Sequence, residues 1–116
     1  MKAGAHREKG EFDTAYDLVK QAYTSVATLS RGENNLGCAV ILNSMGLLFK
    51  RWEKFDRALD AYERSLNIRQ EILGDDHPDV IASHHNIGEL YLKWNKPEKA
   101  EEYMEANITK MAQNSN

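Results

Sequence analysis

The sequence predicts an all-α fold, an α-solenoid in which antiparallel helix hairpins stack into a right-handed superhelix of about two and a half repeats. Three observations predict it. The chain repeats itself at a shift of 42 residues. Its apolar residues recur every three or four positions, as on one face of a helix. It contains only two prolines and lacks the runs of Val, Ile and Thr that favour strands.

The repeat is visible when the chain is aligned with itself. A shift of 42 residues places Gly46 on Gly88 and Trp52 on Trp94. An earlier, incomplete copy aligns at a shift of 43. We therefore expect a single domain over 1–116 that divides into a partial repeat at 1–33, repeats at 36–75 and 78–111, and a disordered tail at 112–116.

The apolar spacing predicts the first three helices. A stripe that includes Ala15, Leu18 and Val19 indicates a helix at 12–29, after a short helical segment before residue 10. The next stripes contain Leu42 and Met45 for a helix at 36–52, then Leu59 and Leu66 for one at 55–73.

Residues that end or begin helices define the last two. Gly74 ends the third helix, and Pro78 opens the fourth, at 79–94, because a first helical position loses nothing from a missing N–H. Asn95 tolerates the left-handed conformation that ends the fourth helix, and Pro97 opens the fifth, at 97–111. The short turn makes these two helices antiparallel neighbours.

Small residues predict how each hairpin packs. Gly46 and Gly88 lie in helix interiors, where glycine costs about 1 kcal/mol relative to alanine, so a close backbone approach is the expected reason for them. We expect Ala58 and Ala100 to lie opposite these glycines. The aromatic rings of Phe49 and Tyr91 then pack beside the alanines.

Two groups of residues resemble the tetratricopeptide repeat consensus, in which a glycine is followed by an aromatic residue and then an alanine. The members are Gly46, Phe49, Ala58 and Tyr62 in one repeat, and Gly88, Tyr91 and Ala100 in the next. The period and the linker at 69–80 are similar to the kinesin-light-chain class of these repeats. The glycine that usually ends the first helix of a hairpin is Gly10 in the first copy, but Glu53 and Asn95 replace it later.

The resemblance implies a protein-interaction module, an adaptor or scaffold whose concave groove binds a short peptide motif of a partner. The groove positions that it implies are Val40, Asn43, Ser44, Leu47, Lys50 and Arg51 from one repeat, and Ala82, His85, Asn86, Glu89 and Lys93 from the next. Asn43 and Asn86 are the strongest candidates, because a carboxamide offers a donor and an acceptor to an extended backbone. Exposed polar residues of this kind are also common on a solvated helix surface.

Other functions are less well supported. The net charge of −3 with mixed signs argues against nucleic acid. The absence of a long apolar stretch argues against a membrane, and the lone Cys38 suits the cytoplasm. Adjacent His84 and His85 point about 100° apart on a helix, so we expect no metal site there. The sequence contains no phosphate-binding loop and no dinucleotide-binding motif, and we expect no cofactor and no enzyme activity. The alternative is a structural or self-assembling segment of a longer array, with homo-oligomers formed through open repeat ends.

Overall fold

A computed structural model shows five α-helices. The structure describes the backbone of residues 2–30, 32 and 34–114, and the side chains of residues 10–30, 32 and 34–105. Within those ranges no residue lies in a strand. The helices are α1 (Lys2–Leu29), α2 (Leu36–Arg51), α3 (Phe55–Leu73), α4 (Pro78–Lys93) and α5 (Pro97–Asn114).

Each helix packs against the helix that follows it in sequence. The pairs α2–α3 and α4–α5 form the two hairpins, while α1 packs on α2 and α3 packs on α4. Contacts between sequence neighbours are the arrangement that a solenoid requires. The predicted all-α stack of helix hairpins is confirmed.

Both hairpins turn through the same backbone motif. Glu53 and Asn95 adopt positive φ angles of 62° and 61°. The N–H of Lys54 bonds the carbonyl of Phe49 at 2.8 Å, and the N–H of Lys96 bonds that of Tyr91 at 2.8 Å. A hydrogen bond from an N–H to the carbonyl five residues earlier, with a left-handed residue between them, defines a Schellman motif. It satisfies carbonyls at the end of the helix.

The link between the hairpins also follows the prediction. Gly74 ends α3 with a φ of 89°, a conformation that glycine adopts without steric cost. His77 precedes α4, and its Nδ1 accepts the N–H of Asp79 at 3.0 Å. Pro78 occupies the first position of α4. His77 is therefore a helix cap, and the Asp79 carboxylate lies at the positive end of the helix dipole.

Two expectations about helix ends were wrong. We expected a turn at Gly10, but α1 is one continuous helix from Lys2 to Leu29. Gly10 lacks the positive φ of a turn glycine, and a glycine in right-handed helical conformation costs only about 1 kcal/mol. At the other end, α5 continues to Asn114, so the predicted tail at 112–116 is helical at 112–114. Its last two residues lie outside the described residues.

The glycines do mark close approaches, but to different partners from those expected. A Cβ added at Gly46 would lie 2.5–2.9 Å from three ring atoms of Tyr62. A Cβ at Gly88 would lie 2.8 Å from Cε of Met104. Tyr62, rather than Ala58, therefore lies nearest to Gly46. Ala58 is fully buried at 0% exposure and lies in the same core.

Aromatic stacks join one hairpin to the next. The rings of Phe12 on α1 and Trp52 at the end of α2 are 5.6 Å apart, and those of Phe55 on α3 and Trp94 at the end of α4 are 5.9 Å apart. Aromatic pairs at such distances contribute about 0.5–1.5 kcal/mol beyond burial. The two tryptophans therefore pack between repeats.

Candidate protein-binding groove

One face of α2 is exposed and the opposite face is buried. At about 100° per residue, Val40, Asn43 and Leu47 lie on one side of the helix, while Leu42 and Met45 lie on the other. Leu42 is 1% exposed, whereas Val40 and Leu47 are 55% and 41% exposed. Two exposed branched side chains on one face give α2 an apolar strip that is available for contact.

The corresponding face of α4 is more polar. Ala82, His85 and Glu89 are exposed along it, and Asn86 is half-buried. His85 Nε2 and Glu89 Oε1 are 3.2 Å apart, one helical turn from each other. His85, Asn86 and Glu89 follow Ala82 by three, four and seven residues, so all four lie on one side of α4.

A hydrogen bond joins the two faces. Asn86 Nδ2 donates to Asn43 Oδ1 at 3.1 Å. The two helices are not consecutive, since α3 lies between them in sequence, so the bond depends on how one hairpin stacks on the other. We use the name groove face for the eleven predicted groove residues on α2 and α4.

The described side chains place all eleven residues at or near the surface. Asn43, Lys50 and Asn86 are half-buried, and the exposed members are Val40, Ser44, Leu47, Arg51, Ala82, His85, Glu89 and Lys93. Ser44 Oγ donates locally to the carbonyl of Val40 at 3.2 Å. The structure brings Asn43 and Asn86 into direct contact. The binding role of the eleven stays a prediction.

Residues considered for other chemistry have structural partners. His84 packs its ring 5.3 Å from that of Tyr103, and the buried Cys38 accepts a hydrogen bond from Asn35 Nδ2 at 3.3 Å. Among the side chains described, no three His, Cys, Asp or Glu residues form a group that could hold a metal ion.

None of the helices in the described part of the chain combines the length and the apolar character that a membrane span needs.

A cleft between α1 and α3 was not predicted. It is bordered by Ala61, whereas the residue 42 positions later in the chain is the bulky Tyr103. This difference between equivalent positions is visible in the sequence.

Comparison of the sequence with protein-family models agrees with the hairpin geometry, the repeated Schellman turns and the aromatic stacks between repeats. A family model for the tetratricopeptide repeat matches residues 1–71 and 53–106. The chain belongs to the tetratricopeptide repeat family. Human nephrocystin-3 is 35% identical over 98 residues, which cover 83% of this chain and 7% of that protein.

The kinesin-light-chain resemblance is also confirmed. The Arabidopsis thaliana protein KINESIN LIGHT CHAIN-RELATED 3 is 28% identical over 97 residues, covering 84% of this tetratricopeptide repeat chain and 14% of that protein. The crystal structure of BtubC (BKLC) from P. vanneervenii matches with a TM-score of 0.77 and 26% identity, covering 90% of this chain and 41% of that one. The chain thus spans only a small part of the curated relatives it matches.

Proposed function

We propose that this chain is an adaptor or scaffold module that binds a short, extended segment of a protein partner on the groove face. Tetratricopeptide repeats are in general protein-interaction modules. The observation that carries the finer proposal is the hydrogen bond between Asn86 and Asn43. It fixes two carboxamides side by side across neighbouring repeats.

The paired carboxamides suit a peptide backbone. Each carboxamide has a two-donor NH₂ group and an acceptor oxygen. The bond between them uses one donor of Asn86 and the oxygen of Asn43. This leaves the NH₂ group of Asn43 as a donor for a ligand, and the oxygen of Asn86 as an acceptor. One extended residue offers the complementary C=O and N–H, so a single backbone unit satisfies both side chains.

The surrounding residues favour an acidic ligand with apolar side chains. Lys50, Arg51 and Lys93 lie on the groove face with one carboxylate, that of Glu89. This excess of positive charge attracts acidic segments and speeds their association at low salt. Val40 offers an exposed apolar contact beside them.

The double variant Asn43→Ala plus Asn86→Ala tests this role. A partner is first identified by co-purification and mass spectrometry, and its affinity for the purified chain is then measured by calorimetry. We expect the double variant to lose affinity about 5- to 160-fold, since two hydrogen bonds of about 0.5–1.5 kcal/mol each are removed. Helical circular dichroism should not change, because neither half-buried asparagine belongs to the apolar core.

The matched control is Asn67→Ala, which removes an exposed carboxamide from α3. It should bind the partner as tightly as the unsubstituted chain. Equal affinity of the double variant and the control would contradict a role for the asparagine pair. The proposal includes no enzymatic step and no cofactor, and we place the interaction in the cytoplasm.

A second candidate, self-assembly, is favoured by an apolar side chain on α1. Leu18 is 62% exposed, although the residue 43 positions later, Ala61, is buried against α2. The face of α1 that carries Leu18 is thus suited to contact a further helix. Sedimentation tests this candidate: self-association that Leu18→Glu abolishes would support it, and a monomer at high concentration would remove it.

A further inference from the structure

The face of α1 that points away from α2 carries five residues with the spacing of a coiled coil. Successive members are separated by three, four, three and four positions, and we call them the α1 seam: Ala15, Leu18, Ala22, Ser25 and Leu29. Leu18 is 62% exposed and Leu29 is 85% exposed, and Ala22 and Ser25 between them are exposed as well. Two leucines therefore flank two small residues on an open strip of α1.

The equivalent strip of α3 is covered by a helix. The residues 43 positions after Ala15 and Ala22 are Ala58 and Ser65, and both are 0% exposed. Ser65 Oγ donates a hydrogen bond of 2.6 Å to the carbonyl of Ala39 on α2. The turn between α2 and α3 makes the two helices antiparallel neighbours. An antiparallel helix is thus what the chain itself packs on this strip in its first complete hairpin.

Two copies of the α1 seam are complementary when they run antiparallel. A twofold axis that passes between Ala22 and Ser25 brings Leu18 of one copy against Leu29 of the other. The same axis brings Ala22 of one copy against Ser25 of the other. Each contact occurs twice, so two leucine pairs enclose two pairs of small residues. The small central pairs let the two helices approach closely.

The flank of the seam carries no charge that would separate two copies. In coiled coils the residues beside the seam select the partner through their charges. Three of these residues are exposed and uncharged here: Thr14, Gln21 and Thr28. In an antiparallel pair such positions of one helix lie near the same positions of the other, so like charges there would repel. The uncharged flank removes this obstacle to self-pairing.

We propose that the chain forms a twofold dimer by antiparallel pairing of two α1 seams. The pairing rests on the second candidate function, self-assembly, and gives it a surface and a register. It continues the interface of the first hairpin, because α1 of the second copy takes on α1 the place that α2 takes on α3. The groove face lies on α2 and α4, so each copy keeps its own.

The size of the contact determines how strong the dimer is. From Ala15 to Leu29 the seam is about 21 Å long, at about 1.5 Å per residue. Stable interfaces bury about 1,200–2,000 Å², and a single pair of helices of this length buries less. We therefore expect a reversible dimer that dissociates on dilution.

Two charge variants of the full chain test the pairing, by sedimentation at concentrations that rise to the millimolar range. Leu18→Glu and Leu29→Lys each place two charged groups against leucines in a dimer of one variant, so each variant alone should be a monomer. An equimolar mixture of the two should dimerise. There the new carboxylate at position 18 meets the new ammonium group at position 29, and the other leucine pair stays intact. A parallel pair would not bring these two positions together, so recovery in the mixture also reports the direction.

Leu92→Glu is the matched control, because it makes the same change at a leucine of α4 that is 53% exposed. It should dimerise like the unsubstituted chain. Circular dichroism should show all three variants helical, since each leucine is largely exposed. If Leu18→Glu does not fold, Leu29→Lys alone still tests the seam. Leu18→Glu at dilute concentration should bind a groove partner as tightly as the unsubstituted chain, which separates failure of the dimer from failure of the groove.

Three results would overturn the proposal. The first is an unsubstituted chain that stays monomeric at millimolar concentration, which would leave the seam to a helix of another protein. The second is self-association that survives Leu18→Glu or Leu29→Lys, which would assign it to another surface. The third is a mixture of the two variants that stays monomeric although the unsubstituted chain dimerises, which would exclude the antiparallel register.

Discussion

Replacing Gly46 by alanine should destabilise the chain, although alanine is the better helix former. The added Cβ would lie 2.5 Å from Cδ1, 2.6 Å from Cε1 and 2.9 Å from Cγ of Tyr62. All three distances are far below the usual carbon–carbon contact of about 3.5–4.0 Å. The ring cannot withdraw easily, because Tyr62 is 2% exposed and packed in the hairpin core.

The magnitude follows from two opposing effects. Overpacking a core costs about 1–3 kcal/mol, and three ring atoms in collision place this site in the upper part of that range. Alanine recovers about 1 kcal/mol of helix propensity. We expect a net loss of about 1–2 kcal/mol, which is roughly 4–8 °C in Tm for a chain of this size.

Gly88→Ala is the matched control in the next repeat. Its Cβ would lie 2.8 Å from Cε of Met104, the far end of a flexible thioether side chain that can rotate away. We expect this variant to range from unchanged to about 1 kcal/mol more stable. Urea unfolding followed by circular dichroism measures both variants. Equal stability changes at the two glycines, or a gain at Gly46, would refute the packing argument.

Three further predictions concern the turns, a cap and the tyrosines. Glu53→Gly should stabilise the chain by about 0.5–1 kcal/mol in thermal unfolding, because it removes the steric cost of the left-handed conformation at residue 53. Asn95→Gly should gain less, because asparagine already tolerates that conformation. Asn35→Ala should cost about 0.5–2 kcal/mol, because Asn35 Oδ1 caps α2 by accepting the N–H of Cys38 at 2.9 Å. Burial raises the pKa of Tyr62 and of Tyr103 to about 12, above the ordinary tyrosine pKa of 10.0, so the stability that depends on the neutral phenols is complete below about pH 10 and falls as pH rises toward 12. Unfolding midpoints across this range should show the decline, and it should shrink when either tyrosine is replaced by phenylalanine.

The helices were predictable because their signals are local. Apolar spacing and the residues that begin or end helices together placed four of the five within three residues of their observed ends, and Pro78 and Pro97 begin helices as expected. The turn expected at Gly10 failed for a physical reason. Glycine lowers the steric cost of the left-handed conformation but does not force the chain to adopt it. A continuous right-handed helix through Gly10 is therefore equally possible.

The contacts across helices were less predictable. A glycine in a helix interior indicates that another residue packs closely against the helix there. The sequence alone did not show whether that residue is Ala58 or Tyr62. The hydrogen bond between Asn43 and Asn86 depends on the register of α2 against α4. That register is set by α3 packing on α4 and against α2, which no local pattern encodes. The cleft beside Ala61 likewise arises from helix spacing.

Mapping a bound partner on the chain tests the central claim most directly. Amide hydrogen exchange, with and without a co-purified partner segment, reports which helices the partner protects. The account predicts that protection rises on α2 around Asn43 and on α4 around Asn86, and that it falls away when both asparagines are alanine. Partner binding with unchanged exchange in α2 and α4 would contradict it.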